Sequence, residues 1–115
     1  MENKFELVHV GVNTNSPEEA EKLAQLLSMM FNLTPRHGQK SEFVGNYFEC
    51  MKAPFLGTNG HIAMQTDDLE AAVEELKGKG FSFNMDTAAY TEAGKMKNVY
   101  LDGEFGGFAI HILQK

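Results

Sequence analysis

Along the chain, stretches of two-residue period alternate with stretches of helical period. Residues 5–14 set Val8, Val10 and Val12 on one face and Leu7, His9, Gly11 and Asn13 on the other, the pattern of a strand. Ser16, Pro17 and Glu19 then read as a helix start: a capping serine, proline in the first turn and a capping-box glutamate. Ala20, Leu23, Ala24, Leu27, Met30 and Phe31 recur at helical spacing and predict its buried stripe. Strands are expected at 35–40, 41–44 and 47–51, followed by the connector "APFLGTNG". A strand at 60–66 leads into a second helix. Its capping pair is Asp67 and Glu70, its stripe is Leu69, Ala72, Val73 and Leu76, and it exits at Gly80. Strands at 81–86, 97–101 and 107–113 complete the pattern.

The two halves repeat one another. "HVGVNTNSPEEAEKLAQLL" from His9 and "HIAMQTDDLEAAVEELKG" from His61 both run His, apolar, small, apolar, amide, Thr, then a capping segment. "GNYFECMK" from Gly45 and "GFAIHILQK" from Gly107 both place an ionisable residue, Glu49 or His111, four positions after glycine. The expected order is βαβββ-βαβββ, an α+β chain forming one domain over 1–115. Module one spans about 1–52 and module two about 60–115, the second with longer internal loops. A ferredoxin-like sandwich is the alternative fold. The two modules are expected to form a cup in which the histidine faces converge.

The four repeated positions carry the candidate chemistry. His9 and His61 share their faces with small or polar residues, while the other faces are apolar. Glu49 lies between Phe48 and Cys50, and His111 between Ile110 and Ile112. An ionisable group in such a strand is costly to bury unless paired or bound to metal. A lone strand histidine is ordinarily a packing or surface residue. Two at matched positions, joined by a second matched pair, point to a shared ligand role. Imidazole and carboxylate suit zinc, nickel, manganese or iron. His37, Arg36 and Lys52 read as exposed residues and Cys50 as a small buried one.

Composition narrows the class. The chain has 115 residues, 43% hydrophobic and 23% charged, with a net charge of -6 and one arginine. That balance argues against nucleic acid or an anionic membrane as partner. No apolar run is long enough to span a bilayer, and the first residues lack a signal-peptide pattern. With Cys50 alone there is no internal disulfide framework, and the expected compartment is cytoplasmic. No phosphate loop, CxxC or Ser-His-Asp order is present.

"HVGVNT", "GHIAMQTDDLEAAVEELKGKGFSF" and "VYLDGEFGGFAIHILQ" resemble the vicinal oxygen chelate superfamily, which includes glyoxalase I, fosfomycin- and bleomycin-resistance proteins and extradiol dioxygenases. The resemblance covers nearly the whole chain. It implies two modules enclosing a cup, a homodimer, and a divalent metal held by His9, Glu49, His61 and His111. It further implies bidentate chelation of a small oxygenated metabolite and stabilisation of enediolate charge, with Glu49 as the catalytic base. Glyoxalase I enzymes place glutamate where this chain has His111, so Glu49 is the one carboxylate left for proton transfer. "ECMKAPFLGTNGHIAMQT" and "GGFAIHILQK" look most like a small domain sometimes fused to 2-keto-3-deoxygluconate-6-phosphate aldolases. The aldolase chemistry of such fusions belongs to a separate barrel and is not expected here. The alternatives are a non-enzymatic small-molecule binding protein of the bleomycin-resistance type and an accessory module of an aldolase.

Overall fold

The computed structural model describes residues 2–115. Its elements run β1 (Phe5–Asn13), α1 (Pro17–Phe31), β2 (Pro35–His37), β3 (Ser41–Val44), β4 (Phe48–Met51), β5 (Gly60–Thr66), α2 (Leu69–Gly78), β6 (Phe83–Tyr90), β7 (Met96–Leu101) and β8 (Phe108–Gln114). This is the βαβββ-βαβββ order expected from the repeat. All eight strands form one sheet in the order β2-β3-β4-β1-β5-β8-β7-β6, which excludes the ferredoxin-like alternative. Within each half the first strand pairs in parallel with the last: β1 with β4, and β5 with β8. The halves join through β1 and β5, antiparallel, at the centre of the sheet.

Each helix covers its own half of the sheet. Ala20 and Ala24 of α1 pack with Val44 and Cys50. Leu69 and Val73 of α2 pack with Phe83, Met96, Val99, Leu101 and Ile112. The stripe expected on α1 ends at Leu27, because Met30 and Phe31 are exposed at 60% and 58%. Length explains this. Fifteen residues of helix span about 22 Å at 1.5 Å per residue. The four-residue strands β3 and β4 beneath it span about 13 Å. The last turn of α1 therefore overhangs its sheet.

Ser16 caps α1 as expected, accepting the Glu19 N–H. On α2 the cap is one residue later than expected: Asp68, not Asp67, accepts the Ala71 N–H. Glu70 instead accepts the Met96 N–H, and Gln114 of β8 accepts the Leu69 N–H. Strand β6 begins at Phe83 rather than 81 because the helix exit consumes the intervening backbone. The N–H groups of Gly80 and Phe81 bind the Lys77 and Leu76 carbonyls. Strand β2 stops at His37 because Gly38 N–H turns back onto the Ser41 carbonyl. A register slip between Leu7 and His9 also breaks the alternation expected for β1. Leu7 pairs with Met64, on the helix side of β5, while His9 pairs with Ala63. Leu7 thus leaves the histidine face.

Candidate metal centre

Register places the four repeated residues in two adjacent rows across the sheet. One row runs Phe43, Glu49, Gly11, His61, Ala109. The other runs His9, Ala63, His111, Tyr100, Asn84. Residues paired across strands share a face, so all four lie on the side opposite the helices. The rows exchange under the pseudo-two-fold of the repeat: His61 matches His9, Glu49 matches His111, Gly11 matches Ala63, and Phe43 matches Tyr100. All four come from one chain.

The side chains converge. Glu49 Oε1 lies 3.0 Å from His61 Nε2 and 3.2 Å from His9 Nε2. The two Nε2 atoms are themselves 3.2 Å apart. One ring nitrogen from each of His9, His61 and His111 lies within 4.8 Å of the others. A tetrahedral ion with 2.0–2.1 Å bonds needs ligand atoms about 3.3 Å apart. The His9–His61–Glu49 triangle is close to one face of such a tetrahedron, and His111 stands beyond it. The residues present therefore fit a divalent transition metal.

Two small residues form the floor. A Cβ on Gly11 would lie 2.0 Å from Cε1 of His61 and 2.3 Å from its Nδ1. The His61 ring therefore lies directly over β1, a position open only because residue 11 has no side chain. Ala63 is the matching floor residue beside His9, and it is fully buried.

Neighbouring residues orient these side chains, and sequence reasoning had not singled them out. Ser41, 2% exposed, donates its hydroxyl to Glu49 Oε2 at 2.7 Å. Asn98 Oδ1 lies 2.7 Å from His111 Nδ1. Nδ1–H donating to that amide oxygen leaves the Nε2 lone pair free. Among the described residues His111 Nε2 and His61 Nδ1 are the buried side-chain polar atoms without a hydrogen-bond partner, and the Nε2 lone pair suits a metal. Tyr100 stacks on the His111 ring at 4.5 Å and 9° between planes. Phe55 of the connector packs edge-on against Tyr100. Ser41, Asn98 and Tyr100 share the alternation of the ligand face, and that is the one signal the sequence held for them.

Electrostatics follow the geometry. Hydrogen bonds from His61 and His9 hold the Glu49 carboxyl far below the usual carboxylate range. Burial lowers the His111 imidazole from 6.5 to about 4, with His61 and His9 adding to the shift. Burial and the nearby Glu49 charge raise the Tyr100 phenol to about 12. Cys50 points away from the site and burial raises its thiol to about 11, consistent with an inert core residue. His37 is exposed, as expected, and pairs with the carboxylate of Glu42, which is itself buried. Lys52 donates to the Gly38 carbonyl and lies 3.6 Å from Glu42, so it belongs to that separate cluster.

No family model matches the sequence, and no curated protein matches it. Solved structures match the fold. A hypothetical protein of Bacillus halodurans C-125 aligns at TM-score 0.63 and 16% identity, over 97% of this chain and 95% of that one. Methylmalonyl-CoA epimerase of Mycobacterium tuberculosis aligns at TM-score 0.63 and 15% identity, over 94% and 86%. Streptomyces coelicolor methylmalonyl-CoA epimerase, solved with 2-nitronate-propionyl-CoA, aligns at TM-score 0.59 and 12% identity, over 96% and 94%. The chain has the glyoxalase-like α+β fold, an open eight-stranded sheet with two helices on one side and the convergent histidines on the other.

Proposed function

We propose that this chain is a divalent-metal-binding glyoxalase-like protein that acts on a small oxygenated metabolite. The carrying observation is the convergence of His9, His61 and Glu49 at 3.0–3.2 Å beside the buried, unpartnered His111 Nε2. His9, Glu49, His61 and His111 would hold the ion, with three imidazoles favouring zinc, nickel or iron over magnesium. When bound, the ion supplies a Lewis acid for two adjacent substrate oxygens and stabilises enediolate charge. One carboxylate against a divalent ion leaves the site positive, which favours anionic substrate oxygens. Gly11 and Ala63 keep the floor open, and Phe43 and Tyr100 wall it. Among the described residues Glu49 is the one carboxylate at hydrogen-bond distance from His9 and His61, and it is the candidate general base.

One observation favours the non-enzymatic alternative. Both Glu49 oxygens are engaged, Oε1 by the histidines and Oε2 by Ser41. As a base, Glu49 must give up one of these contacts. A protein that binds its ligand without turnover needs no such release.

We also read the chain as a cytoplasmic homodimer. Leu26, Met29, Met30 and Phe31 on the overhanging end of α1 are exposed at 43%, 74%, 60% and 58%, an apolar patch suited to a second copy. Among the described residues no helix is long and apolar enough to cross a membrane.

The test is calorimetric titration of metal-stripped protein with zinc, nickel, iron(II) and manganese. Wild type should bind one ion per site. His61→Ala, His111→Ala and Glu49→Gln should each bind more weakly. Equal binding by all four proteins, or none by wild type, rejects the metal centre and leaves the ligand-trapping alternative.

A further inference from the structure

Resting on that metal reading, we propose that Arg36 recognises a second anionic group of the substrate. The ligand class is then a short metabolite with vicinal oxygens at the metal and a separate terminal oxyanion, carboxylate or phosphate.

Register supplies the first argument. Arg36 pairs with Phe43, and Phe43 pairs with Glu49. Arg36 therefore extends the row that contains Glu49, Gly11 and His61, on the same face. The guanidinium lies 4.4 Å from the Phe43 ring centroid, stacked over the aromatic wall of the site. With neighbouring strands about 4.8 Å apart, β2 lies about 10 Å from β4, the strand that carries Glu49. His9 and Arg36 also line one cavity of about 350 Å³ with Leu7, Phe43, Phe48 and Gln65, and His9 is the proposed metal-binding residue that reaches it. That volume lies within the range of small-molecule sites.

Charge supplies the second. The chain carries sixteen acidic residues, yet among the described residues none forms a salt bridge with its one arginine. Among the described strand residues sharing the histidine face, Arg36 is the one lysine or arginine. The position related to it by the repeat is Asn84, beside Tyr100. Among the described strand residues of this face, one end of the row thus carries a cation and the other does not, which favours one direction for a bound molecule. A guanidinium held over an aromatic ring keeps its N–H donors for a carboxylate or phosphate, which it can bind in bidentate geometry.

The experiment uses matched probes that share the chelating group and differ at the far end. Zinc-loaded protein is titrated by calorimetry with dihydroxyacetone phosphate against dihydroxyacetone, and with 2-oxoglutarate against 2-oxobutyrate. In wild type the member with the terminal anion should bind at least about tenfold tighter in one pair. The pair that shows it distinguishes phosphate from carboxylate. Arg36→Ala should abolish the difference while keeping wild-type zinc affinity, and Arg36→Lys should restore only part of it. Wild type that binds zinc but treats both members of each pair alike overturns the assignment of Arg36 alone. So does an Arg36→Ala variant that still discriminates. Wild type that binds no metal overturns the metal reading and this inference with it.

Discussion

The His61 ring occupies the space that a side chain on Gly11 would fill, with Cε1 only 2.0 Å from the missing Cβ. The contact links a backbone position on β1 to a proposed ligand on β5. Gly11→Ala should push the ring off the floor of the site. Forcing a methyl group into that packing should cost about 1–3 kcal/mol of stability. Displacing the ligand should also weaken zinc binding by about 100-fold, at the upper end of losses seen when a metal ligand is mis-set. Ala63→Gly, at the matching floor position, removes bulk instead of adding it and should keep zinc affinity. Denaturant unfolding and calorimetry on both variants check the pair.

Asn98 should act on the metal through His111. Its side-chain oxygen, 2.7 Å from Nδ1, selects the tautomer whose Nε2 lone pair faces the ligand set. Asn98→Leu removes that selection and should lower zinc affinity about 10–100-fold. Asn98→Asp keeps an acceptor and should retain it. Nitrogen-15 imidazole spectra of the metal-free protein should show His111 changing tautomer population in the leucine variant alone. A purely structural role for Asn98 would leave those resonances unmoved.

The element order and the meeting of His9, His61, Glu49 and His111 were legible because a repeat doubles every weak signal. A histidine before apolar-small-apolar is uninformative once and informative twice. Boundaries were less legible wherever backbone hydrogen bonds decided them. The Gly80 and Phe81 N–H groups close α2, and no residue pattern distinguishes that from the start of β6. The slip at Val8 is invisible for the same reason: valine suits either face, and only pairing with β5 reveals which residue is extra. Ser41 and Asn98 were hidden differently. Their roles depend on which strands become neighbours, and the sheet order is not written in any local stretch.

The overhanging end of α1 should make the chain self-associate. Sedimentation equilibrium at micromolar concentration should give twice the chain mass. Met30→Glu places a charge in the exposed patch, away from the sheet-packed Ala20 and Ala24. It should shift the protein to monomer while changing stability by less than about 0.5 kcal/mol, as usual for surface substitutions. A monomeric wild type, or a glutamate variant as dimeric as wild type, removes this surface from consideration.

Acid should destabilise the metal-free protein in two stages. His111 titrates near 4 in the folded chain and near 6.5 when unfolded. Between those values the unfolded chain takes up a proton that the folded chain does not. Stability therefore falls with pH at up to about 1.4 kcal/mol per unit, for a total of about 3 kcal/mol. Above 6.5 His111 is neutral in both states and contributes no slope. Glu49 acts in the same direction but lower. Its carboxyl is held below the model value of 4.5 by His61 and His9, so its stabilising charge is lost as pH falls below that value. Urea unfolding from about pH 7.5 down to about pH 4.5 should show the first stage in wild type. His111→Gln, which cannot take up the proton in either state, should flatten it. Zinc should raise stability at neutral pH and make the acid loss steeper, because protons compete with the metal for the same imidazole lone pairs. A wild-type profile as flat as that of the glutamine variant would show that His111 is not buried in its neutral form.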